Sequence, residues 1–159
     1  MFLNKRKVIF LISIFILVFI LTIDDIKSQE LKVVDGDTIH LNGEKIRFKG
    51  IDTPELKQIC IKDGSKKRCG ETAKQILINK IGDNRVECIK EGRDQYQRTL
   101  AECFVNDESL SSYLVKSGYA FAYRKYSDKF ISDEDYARVN ELGMWSMKFD
   151  YPWDYRKKN

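Results

Sequence analysis

Between residues 30 and 53 apolar and polar positions alternate with a period of two. Leu31, Val33 and Val34 open the segment, Asp35-Gly36-Asp37 interrupts it, and Thr38-Ile39-His40-Leu41 resumes it. Asn42-Gly43 separates this run from Lys45-Ile46-Arg47-Phe48-Lys49-Gly50-Ile51. Asn-Gly between two alternating runs predicts a hairpin, because both central turn residues adopt positive φ. In the second run Ile46, Phe48 and Gly50 share one face, and Arg47, Lys49 and Ile51 the other.

Residues 56–70 are polar, contain glycine and carry Lys66-Lys67-Arg68, which predicts a loop. From Glu71 to Ile81 the spacing becomes helical, with Ala73, Ile76, Leu77 and Lys80 in phase and Gly82 as the stop. Arg85–Lys90 and Thr99–Val105 predict strands, joined by a polar turn from Glu91 to Arg98. Ser109–Lys116 predicts a second helix ended by Gly118, and Asp133–Leu142 a third ended by Gly143. The tail holds Trp145, Tyr151-Pro152-Trp153 and a basic end. About five strands and three short helices predict an α+β domain, a small closed barrel with helices packed on it. Eight tyrosines, nine phenylalanines and two tryptophans supply bulk for its core.

The N-terminus follows a different pattern. Lys5, Arg6 and Lys7 precede Val8 to Ile23, 16 uncharged residues interrupted by Ser13 and Thr22 and closed by Asp24 and Asp25. Basic, then apolar, then polar is the order of a secretory signal. The run falls between a signal core and the shortest membrane span, roughly 17 residues. Residues 1–28 are therefore read as a signal peptide or a signal anchor, and residues 29–159 as the functional domain. Both readings put that domain outside the cytoplasm, periplasmic or secreted in one case and membrane-tethered in the other.

The four cysteines agree with export. Cys60, Cys69, Cys88 and Cys103 contain no Cys-x-x-Cys pair, which argues against a zinc site. An even number in an exported domain points to disulfides. Of the three pairings, Cys60–Cys69 closes a short loop and Cys88–Cys103 joins two neighbouring strands, so these are expected. Charge is less informative: of the net +4, residues 29–159 carry 24 basic against 22 acidic side chains. A polyanionic partner must therefore be argued from placed residues.

Two segments place carboxylates. Asp37 follows a glycine at the start of a strand, and Asp52-Thr53-Pro54-Glu55 ends one. Hairpin pairing brings Asp37 towards Asp52 at one rim, an oxygen-rich pocket that suits a hard cation such as Ca²⁺. Arg47 and Arg98 complete the pattern, because a guanidinium holds a phosphate through two hydrogen bonds and stays charged. The single histidine, His40, is read as an ordinary strand residue, and Trp145 and Trp153 as packing residues.

These segments resemble the staphylococcal nuclease (thermonuclease) family. The resemblance runs through Val34-Asp35-Gly36-Asp37-Thr38, Ile46-Arg47, Ile51-Asp52-Thr53-Pro54-Glu55, Asp94-x-Tyr96-x-Arg98 with Leu100-Ala101, and Gly143-Met144-Trp145. It implies a five-stranded OB-type barrel with three helices. It implies that Asp37, Asp52 and the Thr53 carbonyl hold Ca²⁺, that Glu55 is the general base, and that Arg47 and Arg98 stabilise the phosphoryl group. The implied activity is calcium-dependent hydrolysis of DNA and RNA, leaving 3′-phosphate ends, by a monomer. Tyr96, with Tyr123 next, is the candidate to stack on a base. Gln97 departs from the pattern, which has glycine before the arginine, and so do Cys60 and Cys69. The alternative class is a non-catalytic OB-type module that binds single strands.

Overall fold

The computed structural model describes residues 29–159; the signal or anchor expected over residues 1–28 lies outside the described residues. Strands β1 (Leu31–Val33), β2 (Thr38–Leu41) and β3 (Glu44–Phe48) form an antiparallel meander. Its second turn is the expected Asn42-Gly43, with φ of 51° and 80°. The register sets Thr38 opposite Arg47 and Ile39 opposite Ile46. Ile46 and Phe48 are buried, while Arg47 lies on the opposite face, as the alternation requires.

The chain continues through β4 (Ile51–Asp52), β5 (Ile59–Lys62), β6 (Ser65–Arg68) and helix α1 (Cys69–Ile81). It returns as the hairpin β7 (Glu87–Arg93) and β8 (Thr99–Val105). Strand β8 lies parallel to β3, pairing Ile46 with Thr99 and Phe48 with Ala101, a contact that needs the long crossover between them. A short β9 (Glu108–Ser109) adds to β8. The five long-range strands run in the order β1-β2-β3-β8-β7.

Three expectations are corrected. The sheet is not a closed barrel, since no ladder joins β7 to β1 among the described residues. The Gln29 side chain bridges that gap, donating to Val86 O at 2.7 Å and accepting from Val86 N–H at 2.8 Å. Residues 56–70 are not a plain loop: β5 and β6 form a hairpin turning at Asp63-Gly64, both at positive φ. Exposed Lys66, Lys67 and Arg68 have little intrinsic strand preference, which masked it, although Asp-Gly is itself a hairpin turn. The expected tail contains a helix.

That helix is α4 (Pro152–Lys158), which follows α2 (Leu110–Lys116), α3 (Ile131–Val139) and a 3-10 turn, Gly143–Ser146. There are thus four α-helices among the described residues rather than three. Pro152 stands in the first turn of α4, where its fixed φ suits a helix start. No described helix is long and apolar enough to cross a membrane.

The main core joins Ile39, Ile46, Phe48, Ile51, Leu77, Ala101, Leu110 and Leu114. A second cluster packs Cys60, Cys69, Phe121 and Met144 against Trp145, Phe149, Tyr151 and Trp153. Cys60 bonds Cys69 and Cys88 bonds Cys103, the two expected pairs. Cys88 faces Cys103 directly across β7 and β8, with Cα atoms 4.1 Å apart.

Candidate active site

The site forms where the start of β2, the end of β3 and the β4 exit meet. Because Thr38 is opposite Arg47, Asp37 lies beside the Arg47 guanidinium. One nitrogen of that guanidinium donates to Asp37 Oδ1, and the other donates to Asp52 Oδ1 at 2.7 Å. A single planar cation thus ties the two carboxylates together, through a fork that lysine cannot reproduce.

Asp37 is fully buried. Its Oδ2 accepts from the Thr53 N–H at 2.9 Å and the Thr53 hydroxyl at 2.8 Å. Gly36 makes room for this contact, since a Cβ there would lie 2.9 Å from the Thr53 side chain. Burial nevertheless pushes the Asp37 carboxyl up to about 7, against the opposing pull of Arg47, with Asp35 and Asp52 adding repulsion. Burial thus outweighs the pull of the one arginine beside it. The same carboxylates hold the Arg47 proton above its ordinary range despite burial of the guanidinium.

Asp52 is also fully buried, and a second arginine covers it. Arg156, on α4, donates to Asp52 Oδ2 at 2.7 Å and Oδ1 at 3.2 Å, and to Glu55 Oε1 at 2.8 Å. The chain separation of 104 residues and its place in a basic tail hid Arg156 from the sequence reading. Pro152, the acidic Asp154 after it and the basic last turn signal the helix, but not where it docks.

The Glu55 turn is clamped from below. Buried Gln58 accepts from the Glu55 N–H at 3.2 Å and donates through its amide to Asp150 O at 2.7 Å, while its own N–H donates to Glu55 O at 2.7 Å. Glu55 itself stays accessible and lines a cleft of about 660 Å³ with Arg47, Arg98, Arg156, Tyr96 and Tyr123.

Arg98 reaches this cleft from the β7–β8 turn, where its Nε donates to Asp94 Oδ2 at 2.7 Å. Asp94 Oδ1 accepts the N–H groups of Tyr96 and Arg98, both at 2.9 Å. Burial works against ionisation here, but these bonds from Arg98 and Tyr96 hold the Asp94 carboxyl below its usual range. Gln97 sits at φ 61°, the left-handed region that glycine occupies without strain. Tyr96 is 71% exposed, with the Arg98 guanidinium 5.5 Å from its ring centre.

Tyr123 is placed by β10 (Phe121–Ala122), which pairs with β4 so that Phe121 faces Asp52. Buried Glu134 fixes β10, accepting from the Ala122 N–H at 3.0 Å and pairing with Arg124 at 2.6 Å. One face of Tyr123 stacks on Trp153, centroids 5.7 Å apart and planes 7° from parallel; Tyr126 meets it edge-on. Trp153 stacks in turn on Tyr151 at 4.7 Å, so it is a packing residue, as expected. His40 faces Lys45 and Lys32 across the meander and does not line the cleft.

The donor set suits a hard cation. Arg47 brings Asp37 and Asp52 within the span of one guanidinium, and the Thr53 backbone adjoins both. Among the described residues no three His, Cys, Asp or Glu side chains converge as a self-sufficient metal cluster. A cation here would draw on two carboxylates, a carbonyl and water, the oxygen chemistry of Ca²⁺ and not the nitrogen and sulfur chemistry of Zn²⁺.

The sequence matches the family model described as staphylococcal nuclease homologue over residues 45–147. The chain belongs to this family. Arg47, Asp52, Glu55 and Arg98 fall within the matched stretch, and Asp37 lies just before it. The chain is 35% identical over 132 residues to endonuclease YncB of Bacillus subtilis (strain 168), covering 72% of this chain and 59% of that protein. It is 32% identical over 121 residues to the succinoglycan biosynthesis protein ExoI of Rhizobium meliloti (strain 1021), covering 73% and 63%. An uncharacterized endonuclease of Haemophilus influenzae is 28% identical over 123 residues, covering 73% and 64%. The chain thus spans less than two thirds of the length of these relatives.

Proposed function

We propose that this protein is a calcium-dependent nuclease that hydrolyses phosphodiester bonds in DNA and RNA, leaving 3′-phosphate ends. The observation that carries the reading is the Arg47 bridge between buried Asp37 and Asp52, with Glu55 open to the cleft beside it. A pure binding module has no need of buried carboxylates beneath its groove, since desolvating them is costly. A phosphodiesterase does, because charge develops on phosphorus and must be met by fixed cations.

Asp37, Asp52 and the Thr53 carbonyl would hold Ca²⁺, which supplies positive charge to the phosphate oxygens when bound. Glu55 accepts a proton from water as its oxygen attacks phosphorus. The bond from phosphorus to the 5′-oxygen breaks, that oxygen takes a proton from solvent and leaves as a hydroxyl, and Glu55 returns its proton to solvent. The phosphate stays on the 3′-oxygen. Arg47 and Arg98 bind the non-bridging oxygens, Arg98 through its terminal nitrogens while its Nε stays on Asp94. Exposed Tyr96, with Tyr123 at the cleft wall, offers apolar surface to a base.

Two disulfides favour an oxidising compartment, and export through residues 1–28 as a monomer is part of this reading. Incubating the purified protein with single-stranded DNA, with calcium and then with excess chelator, tests the core of it. Cleavage in calcium, none in chelator, and 3′-phosphate on the products are expected. Binding without cleavage in calcium would return the protein to the binding-module class.

A further inference from the structure

Arg156 faces the cleft and bonds both Asp52 and Glu55, yet the nuclease reading gives it no role. Its neighbours define what it can do. Asp37 and Asp52 have no exposed surface, so a ligand reaches them only by moving a guanidinium. Arg47 is bonded to both carboxylates and is 17% exposed. Arg156 is 41% exposed and comes from a surface helix, so it is the cheaper of the two to move.

The helix delivers it firmly. Buried Pro152 starts α4, and Trp153 is stacked between Tyr151 and Tyr123. Arg156 is three residues on from Trp153 and so projects from the same side of the helix. The base of the side chain is fixed while its long stem remains free to turn.

Charge says where it turns. Counting only the groups bonded to the two arginines, and with Asp37 ionised, Asp37, Asp52 and Glu55 bring three negative charges and Arg47 and Arg156 two positive ones, leaving one negative charge unmet. A divalent cation reverses this to one positive charge in excess. One phosphodiester, with one negative charge, restores neutrality if a guanidinium faces it. Like charges a few ångströms apart in a partly buried site are unfavourable, so a cation competes with both guanidiniums for Asp52, and Arg156, the more exposed, is the one that gives way.

We propose that Arg156 is a further active-site arginine, the resident counter-ion of Asp52 and Glu55, which yields Asp52 to the divalent cation and then binds the phosphate of the substrate. This rests on the nuclease reading. It makes Arg156 both a competitor of the metal in the free protein and a substrate contact in the complex. Those two roles change in opposite directions when the side chain is removed.

The test is calcium titration of the whole protein by calorimetry without nucleic acid, together with steady-state cleavage of a short single-stranded DNA. In Arg156→Gln, calcium should bind roughly tenfold more tightly, because a charged hydrogen-bonded competitor has gone. kcat/KM at saturating calcium should fall roughly tenfold or more. Arg156→Lys should recover part of kcat/KM, keeping the charge but not the fork. A merely structural arginine predicts weaker calcium binding, so unchanged or weakened affinity in a folded Arg156→Gln overturns the proposal, as does unchanged kcat/KM. Should that variant melt below the assay temperature, Arg156→Lys decides by the same sign in calcium affinity. If the unaltered protein binds no calcium and cuts nothing, the nuclease reading itself falls, and the proposal with it; that result is read before any variant is made.

Discussion

The backbone of Glu55 rests on Gly70: a Cβ built on Gly70 would lie 1.9 Å from the Glu55 carbonyl oxygen and 2.4 Å from its carbon. Gly70 is in the first turn of α1, directly after Cys69, so the helix start forms the floor under the Glu55 turn. The atoms in the way are backbone and cannot rotate aside.

Gly70→Ala should therefore displace the Glu55 turn as well as strain the helix start. Overpacking of this kind costs about 1–3 kcal/mol. A displacement of about 1 Å at a reacting group can cost on the order of 100-fold in rate. Chemical denaturation and kcat measured on the same preparation should both fall, with kcat falling further than lost folded protein explains.

Glu55→Gln separates chemistry from binding. Its carbonyl oxygen can still accept from Arg156, but it no longer takes a proton. General-base assistance is worth about 10²–10⁴-fold, so kcat should drop by that order while DNA still binds in a filter or anisotropy assay. A folded Glu55→Gln protein with full activity would remove Glu55 from the mechanism.

Gln97→Gly should stabilise the β7–β8 turn. A side chain in the left-handed region costs roughly 1–2 kcal/mol, partly offset by the extra freedom glycine gives the unfolded chain, about 0.4–1 kcal/mol. The net gain expected is about 1 kcal/mol or less in a urea melt. Activity should be little changed, because Asp94 holds the N–H groups of Tyr96 and Arg98 with either residue at position 97.

Replacing Cys88 and Cys103 together by serine should lower stability by roughly 3 kcal/mol, the loop-closure value for a loop of this size. Neither cysteine lines the cleft, so the remaining folded protein should keep its kcat. Thermal melts with and without reductant, alongside activity at low temperature, check both halves.

The β2–β3 hairpin was legible because Asn42-Gly43 dictates its turn and the alternation dictates its faces. Once that register is set, Thr38 must oppose Arg47, and Asp37 must meet it. The Cys88–Cys103 bond was legible for the same reason, since a local hairpin brings the two together. The gap between β1 and β7 was not, because only the Gln29 side chain spans it and no repeating pattern marks it. The β5–β6 hairpin was missed because its exposed lysines carry no alternation in hydrophobicity. Arg156 was beyond local reasoning altogether, since docking of α4 depends on aromatic packing among Tyr123, Tyr151 and Trp153.

Gln58 makes one more consequence visible, in the order in which the molecule is assembled. Its buried amide is satisfied by Asp150, on the approach to α4, and its backbone grips the Glu55 turn. A chain lacking everything after Lys148 would leave that amide without an acceptor, at a cost of about 1–3 kcal/mol. Such a fragment could complete the β-sheet but would hold the Glu55 turn only loosely. It would also lose Phe149, Tyr151 and Trp153 from the second cluster, and with Arg156 the cation that covers Asp52. Under the nuclease reading, hydrolytic competence therefore depends on residues after 148, far in sequence from the carboxylates they support.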